Sequence, residues 1–143
     1  MPLPHPETQP EFFEDVVSKR LMAWIVDVVL ISATTAVLTV FSLFTALFVL
    51  PLVFALVGFI YRWIGLTRHS ATVGMRLMSV EFRKADGEDF GSGTAFLHTA
   101  GYYASVAVFP AQLVSIVMML MSERRQGLTD TVLGTALLNM RTR

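Results

Sequence analysis

The chain has 143 residues, which allows one compact unit at most. It is 54% hydrophobic with a mean hydropathy of +0.60, and its 11 basic residues balance its 11 acidic residues. No basic stripe suggests a nucleic-acid partner, and the absence of cysteine excludes disulfides, thiolate metal sites and cysteine nucleophiles.

An acidic, proline-rich segment occupies residues 1–18. Its prolines lie at positions 2, 4, 6 and 10, and its carboxylates are Glu7, Glu11, Glu14 and Asp15. A secretory signal needs a positive start and a short apolar core, and this segment has neither. We therefore predict a cytoplasmic N-terminal tail that is irregular to about Gln9, with a short surface helix from Pro10.

The first apolar block, residues 21–61, has 41 residues and one charge, on Asp27. One bilayer crossing takes roughly 20 apolar residues, so the block predicts two membrane helices, at about residues 20–40 and 46–64. The connection between them is short, which makes the pair a helical hairpin. Pro51 lies near the start of the second helix, where it removes few internal hydrogen bonds.

A polar segment follows the hairpin. Residues 77–83 alternate, with Val80 and Phe82 on one side, which is typical of a half-buried strand. Residues 85–88 signal a turn that leads to a candidate return strand, and residues 135–140 are a further candidate. We predict two or three short strands that form a small cytoplasmic sheet against the membrane face.

The second apolar block, residues 94–121, contains no Asp, Glu, Lys or Arg. As one helix it would be about 42 Å long, which is more than the hydrocarbon thickness requires, and Pro110 lies near its middle. Two interpretations stay open. Either an interfacial helix leads into one crossing, or two short membrane-embedded helices fold back on each other at residues 108–110.

Basic residues predict the orientation. They flank the first helix and then follow the second helix and the second block: Lys19, Arg20; Arg62, Arg68, Arg76, Arg83, Lys84; Arg124, Arg125, Arg141, Arg143. Because positive residues stay on the cytoplasmic side, we expect the N-terminus and the central segment inside. If the C-terminal tail, residues 141–143, is also cytoplasmic, the second block has to fold back on itself. The alternative is three crossings, which would place the C-terminus outside.

Asp27 is the first candidate functional residue. A carboxylate inside a membrane helix costs roughly 2.5–3.5 kcal/mol on insertion scales and marks a functional site by default. Arg20, Asp27 and Thr34 recur at a spacing of seven and share one helix stripe. We predict an Asp27–Arg62 ion pair with Arg20 close by. This pair would either fix packing and register or form part of an ion or proton path.

The second candidate cluster contains Arg125 and Asp130. Thr129 is predicted to cap a short helix that Asp130 stabilises and Gly134 ends, with a solvated turn as the plainer interpretation. The three histidines are scattered, and we expect His98 to be a satisfied interfacial residue. No catalytic, cofactor-binding or metal-ligating set is visible, so none is predicted.

Three short motifs carry a family resemblance. The first is Arg20, Ala23 and Asp27; the second is Thr72, Gly74 and Arg76 ahead of Asp86 and Gly87; the third is Arg125 and Asp130 ahead of Gly134 and Thr135. In this order and around apolar blocks, they resemble the RDD family of small bacterial membrane proteins over about residues 20–140. Relatives often carry Lys, His and Arg at three positions where this chain has Met75, Thr129 and His98.

The resemblance implies a multi-pass protein of the bacterial inner membrane, with residues 19–140 as the membrane domain. It supplies no activity. We expect an all-helical membrane protein with a small cytoplasmic strand element, no cofactor, and a non-enzymatic role as an accessory or scaffold component. The alternative is a small cation/proton transporter. The expected surroundings are the lipid bilayer, with a homo-oligomer or a membrane-protein partner as the candidate assembly.

Overall fold

A computed structural model of the chain describes residues 3–42 and 48–140. It is mostly helical, with one small sheet, as the sequence predicts. The elements in chain order are a 3-10 helix Pro10–Phe12, α1 Val16–Phe41, α2 Leu50–His69, α3 Val73–Leu77, β1 Val80–Arg83, α4 Ser92–Ala107, α5 Phe109–Met121, α6 Leu128–Leu133 and β2 Ala136–Asn139.

Two of the described helices, α1 and α2, are long and apolar enough to cross a membrane. The first begins a few residues earlier than predicted and ends close to its predicted end, while α2 begins and ends a few residues later than predicted, with Pro51 in its first turn. Ser70 ends α2 in the left-handed conformation, at φ 55°, and its N–H bonds to the carbonyl of Leu66. The predicted connection at residues 43–45 lies outside the described residues.

The buried face of α1 repeats at a spacing close to four. Its buried residues are Val16, Ala23, Asp27, Ile31, Thr35 and Thr39. The expected place of Thr34 on this stripe is wrong, because Thr34 is exposed and Thr35 takes the buried position. Buried positions four residues apart advance by about 40° around a straight helix, whereas positions seven apart drift by about 20° in the opposite sense, so the buried stripe leaves the predicted one within two turns.

The second apolar block is broken into α4 and α5, which are bent by 116° at the predicted break. The strands on either side of the block, β1 and β2, pair antiparallel, with Val80 opposite Asn139 and Arg83 opposite Ala136. A chain that crossed a bilayer once between them would leave the two strands on opposite faces. Their pairing therefore favours the fold-back interpretation over an interfacial helix with one crossing.

The sheet covers the main core. Val80, Phe82 and Leu137 are fully buried, and Phe82 stacks on Phe90 with ring centroids 5.2 Å apart. Among the described residues the sheet has two strands, so the third candidate, expected after the turn, is absent there. That segment closes on itself instead, with the Lys84 N–H bonded to the carbonyl of Glu88 at 2.9 Å.

The N-terminal segment is more ordered than its composition suggests. Residues 3–9 form no regular helix, as predicted, but Leu3, Phe12 and Phe13 pack against apolar residues of β2. Asn139 fastens it further, because its Nδ2 donates to the backbone carbonyls of Glu11 and Glu14 at 2.8 and 2.9 Å. The N-terminal segment therefore packs against β2 and covers part of the small sheet.

Candidate functional site

Asp27 lies at the contact between α1, α2 and α3. It is 1% exposed. Its Oδ1 accepts hydrogen bonds from the Tyr61 hydroxyl at 2.7 Å and from the Gly74 N–H at 2.9 Å, and its Oδ2 accepts from the Thr72 hydroxyl at 2.7 Å. All three donors are neutral. The carboxylate therefore holds α2 and α3 against α1, and no cation from the described part of the chain contacts it.

The sequence around Thr72 and Gly74 explains how α3 reaches Asp27. Thr72 is the N-cap of α3, and its hydroxyl accepts from the Met75 N–H while it donates to Asp27. A Cβ on Gly74 would overlap the carbonyl oxygen of Ala23 and lie 2.6 Å from Asp27 Oδ1. Only glycine permits this close approach, so the Thr-x-Gly motif is the docking surface of α3.

Asp130 is the second buried carboxylate and is fully buried. Its Oδ1 lies 2.6 Å from His98 Nε2 and accepts from the Thr135 hydroxyl at 3.0 Å. Its Oδ2 accepts from Arg20 Nη1 at 2.9 Å and from the Gly127 N–H at 3.1 Å. Burial by itself would raise the pKa of Asp130, but the Arg20 charge and the His98 hydrogen bond outweigh it and hold the pKa below its usual range.

The donors to Asp130 come from distant parts of the chain. Arg20 lies on α1 and His98 on α4, so one carboxylate joins the first and last thirds of the fold. The predicted cap at Thr129 is wrong, because α6 begins at Leu128 and Thr129 packs against Gly101 of α4. The predicted end at Gly134 is confirmed, with φ 71°.

The predicted Asp27–Arg62 ion pair is wrong. Arg62 is buried, 6% exposed, and its guanidinium lies over the ring of Tyr102, with Cζ 4.3 Å from the centroid. Its Nε is buried and has no hydrogen-bond partner among the described residues. Thr72 and Gly74 hydrogen-bond Asp27 in place of Arg62. A desolvated cation–π contact of this kind contributes about 2 kcal/mol.

Arg20 and Arg125 have different positions from those expected. Arg20 pairs with Asp130 and not with the Asp27 cluster, and its guanidinium also lies over Phe82, with Cζ 5.3 Å from the ring centroid. Arg125 lies outside both buried clusters, where its Nη1 donates to the carbonyl of Leu120 at the end of α5, at 2.5 Å. An arginine in this position satisfies an open helix-end carbonyl.

His98 is the main residue that sequence reasoning missed. It is 1% exposed, and its Nδ1 is buried without a partner among the described residues. Because the ionised Asp130 carboxylate only accepts, His98 Nε2 carries the shared proton. The available signal was a lone histidine in an apolar block, four residues before Tyr102 on the same face of α4.

The chemical capacity of the two clusters is limited in the described part of the chain. A His–Asp pair orients a general base, but no hydroxyl hydrogen-bonds the free nitrogen of His98 there. Among the described residues no group of three or more His, Asp or Glu side chains is placed to hold a metal ion. The two clusters thus connect helices by hydrogen bonds and one ion pair.

The chain belongs to the RDD family. The family's model matches residues 16–134, a range that contains α1 to α6 with β1, the first two predicted motifs and the third as far as Gly134. Comparison with curated proteins and with solved structures gives no significant match. The family resemblance inferred from the three motifs is therefore confirmed.

Proposed function

We propose that this RDD-family chain is a non-enzymatic membrane protein that acts as an accessory or scaffold component. The observation that carries the proposal is the complete occupation of Asp130 by four fixed donors of the chain itself. A carboxylate offers about four lone-pair sites, so none is left for cargo. Asp27 is engaged by three donors, which leave one lone-pair site on its Oδ2.

Occupied carboxylates argue against a role in ion transfer. A carboxylate that carries a cation or proton exchanges its partners in each cycle, and each buried group left without its hydrogen bond costs about 1–3 kcal/mol. At Asp130 such an exchange would also separate the Arg20 ion pair. These contacts favour a fixed connection between helices over a binding site that empties and refills.

In the described part of the hairpin's far half, the buried hydroxyls are already used by the helix itself. Thr35 and Thr39 are buried, but their hydroxyls donate to carbonyls of α1 itself. An open cavity of about 480 Å³ between α1 and α2 exposes mostly apolar surface, and its lining combines residues such as Leu50 and Phe54 with Ser32, Thr35 and Thr39. Transport paths usually place ionisable groups at several depths, and Asp27 and Arg62 lie together towards one end of the hairpin.

Cation/proton transport is the alternative. Two buried nitrogen atoms favour it, since Arg62 Nε and His98 Nδ1 have no partner among the described residues. Such groups are uncommon in folded proteins and often mark functional positions. If the chain transports ions, we expect Asp27 to be the residue that couples the ion to the protein, because it is the one acidic residue in the apolar blocks.

We place the chain in the bacterial inner membrane, with the N-terminus and the sheet in the cytoplasm. The basic residues that flank the apolar blocks support this orientation. The two strands support a fold-back of α4 and α5, which returns the chain to the face it left. Single-cysteine variants at Arg83 and Arg141 test it, because an impermeant thiol reagent on intact cells should label neither. Labelling at 141 alone would favour three crossings.

Proteoliposomes that contain a pH-sensitive dye separate the two functions. We expect no cation-dependent proton flux from the native protein. Flux that is present in the native protein and absent from a folded Asp27→Asn variant would overturn the scaffold proposal. Purification from native membranes in mild detergent is the second measurement. A stoichiometric partner supports the accessory role, whereas a homo-oligomer alone favours transport.

A further inference from the structure

Two arginines stand apart from the other basic residues that the structure describes. Arg68 and Arg76 are exposed and have no hydrogen bond, ion pair or ring contact from their side chains among residues 3–42 and 48–140. The other described cations are engaged: Lys19, Arg20, Arg62, Arg83, Lys84, Arg124 and Arg125. The fold thus leaves two fixed positive charges unpaired at the end of α2 and on α3.

The helix that carries Arg76 has an apolar outer face. Gly74 and Met75 of α3 are buried, while Val73 and Leu77 are 43% and 64% exposed. These two residues are four positions apart and so lie on one face of the helix. Arg76 is next to Leu77 in the chain. A short helix with an exposed apolar face beside a free cation is typical of a membrane interface.

The contact of α3 with α1 sets the depth of α3 in the membrane. Gly74 donates to Asp27 and lies against the carbonyl of Ala23. On the outer face of this part of α1, Met22 and Ile25 are 51% and 44% exposed, which marks it as lipid-facing. Since α3 lies alongside an apolar, lipid-facing part of α1, its own exposed face lies at the edge of the hydrocarbon.

Arg68 has the same kind of position at the end of α2. Ile60 and Ile64 of that helix are 52% and 49% exposed and form an apolar surface on α2 that leads towards Arg68. Arg68 follows one turn after Ile64, and α2 ends at His69. A long arginine side chain at this place extends its charge into the headgroup layer while its methylene groups cover apolar surface.

We propose that Arg68 and Arg76 bind headgroups of anionic phospholipids, and that the acyl chains of the lipid beside Arg76 lie on Val73 and Leu77. The two cations supply the charge that a phosphodiester needs, and the apolar face of α3 supplies the contact that its chains need. An acidic protein would use the cations but would leave the apolar face in lipid. The depth of α3 therefore favours the lipid.

Thermal unfolding of the full chain in mild detergent tests the site, with short-chain phosphatidylglycerol or phosphatidylcholine added and with lipid retention followed by native mass spectrometry. We expect phosphatidylglycerol to stabilise the native protein more than phosphatidylcholine does. The Arg68→Gln/Arg76→Gln variant should bind phosphatidylglycerol about 25-fold more weakly, at about fivefold for each cation. Its unfolding temperature without added anionic lipid should stay unchanged, because both side chains are exposed.

The matched control is Arg83→Gln/Lys84→Gln. It removes the same charge from cations that already pair with Glu81, Asp89 and Asp86. It should retain phosphatidylglycerol as the native protein does. Equal losses in both double variants, or no loss in the Arg68/Arg76 variant, would overturn the proposal. Stabilisation by inorganic phosphate that equals that by phosphatidylglycerol would also overturn it, because it would identify a free anion as the ligand.

Discussion

The two buried carboxylates occupy different environments. Asp27 lies within a membrane helix and is held by neutral donors from α2 and from the start of α3. Asp130 lies on a short helix after the apolar blocks, and its donors include the cation of Arg20. Asp27 thus connects α1 to α2 and α3, whereas Asp130 connects α1 and α4 to α6.

The difference shows how each charge is stabilised. At Asp27 two hydroxyls and one peptide N–H replace the hydrogen bonds of water, so the carboxylate depends on local geometry. At Asp130 the ion pair with Arg20 adds direct charge compensation. We therefore expect Asp130 to be sensitive to the loss of a distant side chain and Asp27 to be sensitive to the position of α3.

The largest expected effect is that of Arg20→Ala. The change leaves Asp130 fully buried without its cation, and removal of one partner from a buried ion pair costs about 3–5 kcal/mol. The free energy of unfolding in detergent should fall by that amount. The Arg20→Ala/Asp130→Ala variant should lose less than the sum of the single losses, because the two residues are coupled.

Lys19→Ala is the matched control for Arg20→Ala. Lys19 is the preceding residue on α1, and its ammonium donates to Asn139 Oδ1 at 2.8 Å in a half-buried position. The loss of this hydrogen bond should lower the free energy of unfolding by about 1 kcal/mol. Similar losses for both variants would show that the Arg20 contact has no special weight and would remove the distinction between the two carboxylates.

The next effect in size is that of Gly74→Ala. The added Cβ would overlap the Ala23 carbonyl, so α3 has to move away from Asp27 and lose the Gly74 N–H bond. Overpacking of this kind costs about 1–3 kcal/mol. Gly93→Ala is the control, because nothing lies within 4 Å of its added Cβ. Denaturant titration should show a loss for the first variant and none for the second.

Much of the fold was predictable because its signals are local. The apolar blocks, the break near Pro110 and the alternation around Val80 and Phe82 each depend on a few neighbouring residues. They predicted α1, α2, the bend between α4 and α5, and β1 with its partner near the end of the chain. The packing of the N-terminal segment on β2 depends on tertiary contacts, so composition did not predict it.

The site was less predictable, because it depends on α3. This helix has five residues, which is too short for a periodic signal, and its place against Asp27 follows from Thr72 and Gly74. Without it, Arg62 was the nearest available partner, which led to the wrong ion pair. The contact between His98 and Asp130 joins distant residues and has no local signal either.

A smaller effect is expected for Asp27→Asn. The amide oxygen still accepts from Tyr61 and Gly74, and the Thr72 hydroxyl has to rotate to accept from the new NH₂ group. We expect a loss of about 1 kcal/mol, since one hydrogen bond is reorganised and none of the three donors is a cation. A loss as large as that of Arg20→Ala would show that the charge of Asp27 has a partner beyond these three.

The smallest effect is expected in the pH dependence of stability, where a comparison with Asp130→Asn isolates the titration of Asp130. Burial raises its pKa, but Arg20 and His98 more than offset this, so the folded pKa lies below the unfolded value of about 3.9. A carboxyl with a depressed folded pKa contributes stability that is complete above the unfolded pKa and is lost as the pH falls through the folded one. The difference in melting temperature between the native protein and Asp130→Asn should therefore be constant near neutral pH and narrow below about pH 4.

The comparison with the variant subtracts the titration of the other acidic groups. A difference that stays constant down to pH 3, or widens, would show that the ion pair does not hold Asp130 in its ionised form.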